Sequence, residues 1–118
     1  FEITGTWLNP APLFCAILQD LRQGVPREII AARFHNSIAW LTTEVCQKIR
    51  KQHHFTEVVL SGGVWQNGTL LAKTAPRLEA AGFTVYLHRQ VPPNDGGLAL
   101  GQVAVAAYQY LCESHKAF

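Results

Sequence analysis

Methionine is absent from the 118 residues. A chain without one does not begin at an ordinary start codon, so it reads as a piece of a longer protein that holds only part of a site. Charge is scarce too, with 15% Asp, Glu, Lys and Arg against 48% hydrophobic residues. That balance excludes a disordered chain, which needs few apolar groups and many charges. A net charge of +2 gives no case for nucleic acid or an anionic membrane as the main partner. No apolar run approaches the ~20 residues of a membrane helix, and the opening FEITGTW lacks a basic-then-apolar leader pattern. Cysteines number three (Cys15, Cys46, Cys112), with no CxxC. They read as reduced packing thiols in a cytoplasmic protein. There is no GxxxxGK[ST], which excludes a P-loop.

Histidine is present but poorly arranged for metal. His53 and His54 are adjacent and cannot share a helix face as pairs at i and i+4 do. They read as a solvated helix end, and His35 as a hydrogen-bonded helix residue. His88-Arg89 leads out of a strand end and either reaches an anion or is plain surface. No Cys–His spacing suggests a nucleophile.

At this length one domain with one core is expected over 1–118. Phe1 to Leu8 alternates loosely and stops at Asn9-Pro10, as a short strand and turn do. Leu13, Phe14, Ile17, Leu18 and Leu21 have helical spacing, with Gly24 as a stop. Pro26 suits the first turn of a second helix. Its stripe of Ile30, Phe34, Ile38, Leu41, Val45 and Ile49 predicts a long amphipathic helix to about Lys51. Then follow a strand at Glu57–Leu60, a helix from Asn67 or Gly68 to Gly82, and a strand at Phe83–Leu87. In the middle helix Leu70, Leu71, Leu78 and Ala81 face inward, and Pro76 favours a kink. A last helix runs over Leu98–Leu111. The alternation gives an α/β class, with Val58–Leu60 and Val85–Leu87 as parallel neighbours across a right-handed crossover.

Ligands of such sheets sit beyond the carboxyl ends of the strands. Two glycine sites fall there. Ser61-Gly62-Gly63 stands between strand and helix, followed by Gln66 and Asn67. Glycine admits positive φ and a close ligand, and a helix start offers N–H groups to an anion. The plainer alternative is a βα turn with Asn67 as an N-cap. Asn94-Asp95-Gly96-Gly97 is the second site. Asp95 there either caps the last helix or offers a hard oxygen to a divalent cation.

The spelling of both sites with their flanks, VVLSGGVWQN and RLEAAGFTVYLHRQVPPNDGGLALGQ, resembles the HypF family of hydrogenase maturation carbamoyltransferases. AARFHNSIA and WLNPAPL are similar to that family as well, so the resemblance covers nearly the whole chain. It implies a partial lobe of an actin/sugar-kinase/Hsp70-like (ribonuclease H-like) fold, with long helices packed on a small sheet. The implied activity passes a carbamoyl group from carbamoyl adenylate, made from carbamoyl phosphate and ATP, to the C-terminal cysteine of HypE. The product becomes the cyanide ligands of [NiFe] hydrogenase. Nucleotide-binding roles are implied for Ser61, Gly62, Gly63, Gln66, Asn67, Gly96 and Gly97. Asp95 matches the family's acidic metal ligand, for Fe, Zn or Mg.

The chain departs from the family in having no HxxxH and no phosphate-binding hairpin. The metal would therefore be completed by histidines outside the chain, and half of the cleft by a missing N-terminal lobe. Alone, the fragment is expected to be inactive. The alternatives are a non-catalytic nucleotide-binding lobe that self-associates, or a related threonylcarbamoyl transferase.

Overall fold

The computed structural model describes residues 1–114. In chain order the elements are β1 (Glu2–Thr4), β2 (Trp7–Asn9), α1 (Ala11–Arg22), α2 (Arg27–His53), β3 (Glu57–Leu60), α3 (Gly68–Ala80), β4 (Thr84–Leu87) and α4 (Leu98–Ser114). Single 3-10 turns at Gly63–Gln66 and Asp95–Gly97 precede α3 and α4. The chain divides into two compact units, Phe1–Val58 with Asn67–Val85, and Val59–Gln66 with the chain from Tyr86 onward. Strands β1 and β2 form one two-stranded sheet, β3 and β4 the other.

The first unit opens on a hairpin where the sequence reads as a single strand. Gly5, at φ +60°, is the first central residue of the turn, the position that type II′ geometry reserves for glycine. Ile3 then lies opposite Leu8 in an antiparallel register. Helix α1 ends on a Schellman motif, with Gly24 at φ +71° and the Val25 N–H donating to Asp20 O at 3.0 Å. Pro26 is the N-cap of α2, one residue before the first helical position.

Helix α2 has the expected length, and of the expected stripe Ile30 is buried and Ile38, Leu41 and Val45 are half-buried, but the buried face is shifted. Ala39 and Thr43 are its buried residues in the middle, whereas Phe34 and Ile49 of the apolar stripe are exposed. Small side chains let α3 approach closely, and helix separation follows the residues at the contact. Thr43 and Thr74 are buried with their hydroxyls donating to the carbonyls of Ala39 and Leu70, at 3.0 and 2.8 Å. Each polar group is thus satisfied inside its own helix.

Helix α3 runs through Pro76, which is exposed. Its C-terminus repeats the α1 device. Gly82 takes φ +81° and the Phe83 N–H donates to Leu78 O at 3.0 Å. Leu78 and Phe83, both buried, supply the apolar contact of that motif. Arg50 locks the same corner, donating to Ala81 O at 2.8 Å with its guanidinium 4.2 Å from the Phe83 ring centre. A charge-assisted hydrogen bond and a cation–π contact together suggest that Arg50→Ala costs about 2 kcal/mol. Urea unfolding checks this, as a lower midpoint at constant slope. An unchanged midpoint refutes it.

In the second unit α4 is apolar and exposed along its described length, with Val103, Tyr108 and Leu111 all more than half accessible. Among the described residues no helix is long and apolar enough to cross a membrane. The thiols divide. Cys15 and Cys112 are exposed rather than packed, and only Cys46 is part-buried.

Candidate functional site

β3 delivers Ser61 to the start of a tight turn. Gly62 follows at φ +103°, a conformation that L side chains rarely adopt. Its N–H donates to Pro93 O at 2.6 Å, across 31 residues of sequence. Trp65 N–H then donates to Gly62 O at 3.1 Å and opens the Gly63–Gln66 turn. The two glycine sites are therefore one structure. Ser61, Gly62, Asp95 and Gly97 line a single cavity of about 680 Å³, closed on one side by Gly101 and Gln102 of α4. That volume suits a nucleotide-sized ligand.

The second loop explains its own glycines. A Cβ on Gly97 would fall 2.7 Å from Pro92 O and 3.0 Å from Val91 Cγ1, with no room for either. Gly96 is tight at 3.1 Å from Asn94 Oδ1. At Gly62 a Cβ would meet nothing within 4 Å, so its demand is conformational and its face is open. A Cβ on Gly63 would make only ordinary contact with Asn94.

Asn94, not Asp95, caps the second loop, accepting the Gly96 N–H on Oδ1 at 3.0 Å. The capping reading of Asp95 is thereby corrected. The Asp95 carboxylate is exposed and has no hydrogen-bond or ion-pair partner among the described residues. It is an uncommitted hard oxygen donor on the cavity wall and fits as one ligand of a divalent ion. Among the described residues no three His, Cys, Asp or Glu side chains come together, so the ion's remaining ligands would come from elsewhere.

Gly63, Gln66, Asn67 and Gly96 do not line the cavity. Asn67 belongs to the first unit, where Oδ1 accepts the Leu70 N–H at 3.0 Å and caps α3. Its Nδ2 lies 3.0 Å from His35 Nε2, and His35 Nδ1 lies 2.8 Å from Ala31 O. A carbonyl only accepts, so Nδ1 carries the proton and Nε2 accepts from Asn67. Burial pushes the Cys46 thiol up from its ordinary range, which keeps it a packing group and no nucleophile.

One cavity residue is left by the sequence between reaching an anion and plain surface, with no link to Ser61. His88, just past β4, places Nε2 2.9 Å from Ser61 Oγ. Its signal is its place at the carboxyl end of a strand beside the one that ends at Ser61.

Residues 1–102 match the family described as carbamoyltransferase, Kae1-like domain, second subdomain. The chain belongs to that family. It is 39% identical over 103 residues to the carbamoyltransferase HypF of Synechocystis, covering 86% of this chain and 13% of that protein. Against HypF of Rhodobacter capsulatus the identity is 35%, over 87% of this chain and 13% of the relative. A full-length HypF crystal structure in a phosphate- and nucleotide-bound form is 39% identical, with a TM-score of 0.79 over 82% of this chain and 13% of that one. The chain is thus a helix-rich α/β subdomain that spans about 13% of the length of these carbamoyltransferases.

Proposed function

We propose that this chain is one lobe of the carbamoyl-transfer domain of a cytoplasmic HypF-type enzyme, with the actin/sugar-kinase/Hsp70-like architecture completed by a second lobe. The observation that carries this reading is the Gly62 N–H to Pro93 O bond, which joins both glycine sites around one cavity. The substrates are carbamoyl phosphate and ATP, joined as carbamoyl adenylate. The acceptor is the C-terminal cysteine of HypE, and the product serves cyanide-ligand synthesis. The nucleotide-bound relative supports a nucleotide here.

In this reading the open face of Gly62 lets the adenylate lie against the backbone, with Ser61 beside it. Gly97 keeps the second loop folded tightly enough on Pro92 to hold the Asp95 carboxylate at the cavity wall. A divalent ion, when bound, supplies positive charge to the carbonyl and phosphate oxygens. The exposed apolar surface of α4 supports a further role in contact, either with the missing lobe or with a second copy in a non-catalytic, self-associating fragment.

Gly62→Val in the complete enzyme tests the cleft. It imposes a β-branched residue on positive φ and fills the open face. The dissociation constant for a non-hydrolysable ATP analogue rises about 10-fold or more, roughly 1.4 kcal/mol. Unchanged affinity in a folded variant removes the nucleotide from this turn.

A further inference from the structure

We propose that His88, hydrogen-bonded to Ser61, is the base that receives the proton of the acceptor thiol. The inference rests on the carbamoyl-transfer reading and adds to it a proton acceptor in this chain. Ser61 Oγ and His88 Nε2 are 2.9 Å apart, and both side chains line the cavity. They come from the ends of two different strands, 27 residues apart, and both are exposed to the space a substrate would enter. Of the other groups lining the cavity, only Asp95 titrates, and the nearest charge along the chain is Arg89.

The chemistry asks for this pair and no more. A cysteine thiol is mostly protonated at neutral pH, and the thiolate is the nucleophile. The leaving group is a phosphate of AMP, which departs as an anion without a proton. A base with no acid partner is therefore sufficient, and imidazole is suited to neutral pH. In the Nδ1–H tautomer the Ser61 hydroxyl donates to Nε2 and leaves its oxygen free to accept from the thiol. As sulfur attacks, the thiol proton passes to Ser61 Oγ while Ser61 gives its own proton to His88. A sulfur–carbon bond forms, the carbon–oxygen bond to phosphate breaks, and that electron pair leaves with AMP. The proton remains on the imidazolium until water removes it.

The test uses the full-length enzyme, preformed carbamoyl adenylate and an acceptor peptide ending in cysteine, in single turnovers across pH. His88→Gln lowers transfer about 10²-fold, within the range of general base catalysis, and abolishes the acidic limb of the pH–rate profile. Added imidazole restores transfer to His88→Ala. Both variants keep wild-type affinity for the ATP analogue. A His88→Gln enzyme with the wild-type rate and acidic limb, or a His88→Ala enzyme that imidazole does not rescue, overturns the proposal. A wild-type enzyme that transfers nothing from the adenylate overturns the functional reading itself, and this proposal with it.

Discussion

Replacing Asp95 by alanine in the complete enzyme lowers carbamoyl transfer about 10³-fold, the upper range for loss of one preorganised electrostatic group. Carbamoyl-phosphate-dependent ATP–pyrophosphate exchange continues at the wild-type rate. Two observations separate Asp95 from a structural role. Its carboxylate has no partner among the described residues, and the cap of the turn belongs to Asn94. Removing the side chain therefore leaves the loop's own hydrogen bonds intact, those of Gly96 to Asn94 Oδ1 and of Gly97 to Asn94 O. What is lost is a negative oxygen on the cavity wall. Asp95→Ala also lowers the metal content of the purified enzyme. Transfer at the wild-type rate by a folded Asp95→Ala enzyme would reduce the residue to an exposed acid at a helix start and dismiss the metal role.

Leu78→Ala destabilises the chain by about 3–4 kcal/mol, in the middle of the range for a buried leucine truncated to alanine. Leu78 is fully buried, next in α3 to the fully buried Thr74 and within one turn of the C-terminal cap. Its carbonyl accepts the Phe83 N–H, so the side chain and backbone of one residue both hold the end of α3. Leu78→Met keeps the volume and costs less than about 1.5 kcal/mol. Denaturant unfolding of both variants decides the matter. A loss below about 1 kcal/mol for Leu78→Ala would mean that this corner is not the core of the first unit.

The sequence shows where the elements lie better than which faces they bury. β3 and the start of α3 fall at the residues expected from a β-branched run and an Asn cap. The face of α2 was legible only in part: Ile30 of the stripe is buried, but so are Ala39 and Thr43, which carry little hydropathic signal beside Ile and Phe. The N-terminal hairpin was hidden by its brevity, with one glycine turn inside nine residues. At the site, the family spelling marks both glycine loops and places each after a strand. It does not reveal that Gly62 bonds Pro93, since a backbone donor has no spelling of its own. Nor does it separate the reasons for glycine, which at Gly62 is torsional and at Gly97 is lack of space against Pro92. For His88 the sequence offers an anion contact or plain surface, but not its pairing with Ser61, because a histidine near a strand end does not spell its partner hydroxyl.

The interleaving of the two units along the chain sets the order in which their residues are made. Residues 59–66 belong with the chain from Tyr86 onward, while the intervening Asn67–Val85 belongs with what came before. During synthesis, Ser61 and Gly62 therefore leave the ribosome well before their partners His88 and Pro93. Helix α3 can dock on α2 in that interval, since both lie in the earlier unit. Closing the cavity then needs the loop carrying Pro93 to return to a turn whose two flanks lie in the earlier unit. A chain cut between residues 85 and 93 would keep every residue of the first unit and lose the Pro93 carbonyl that Gly62 bonds.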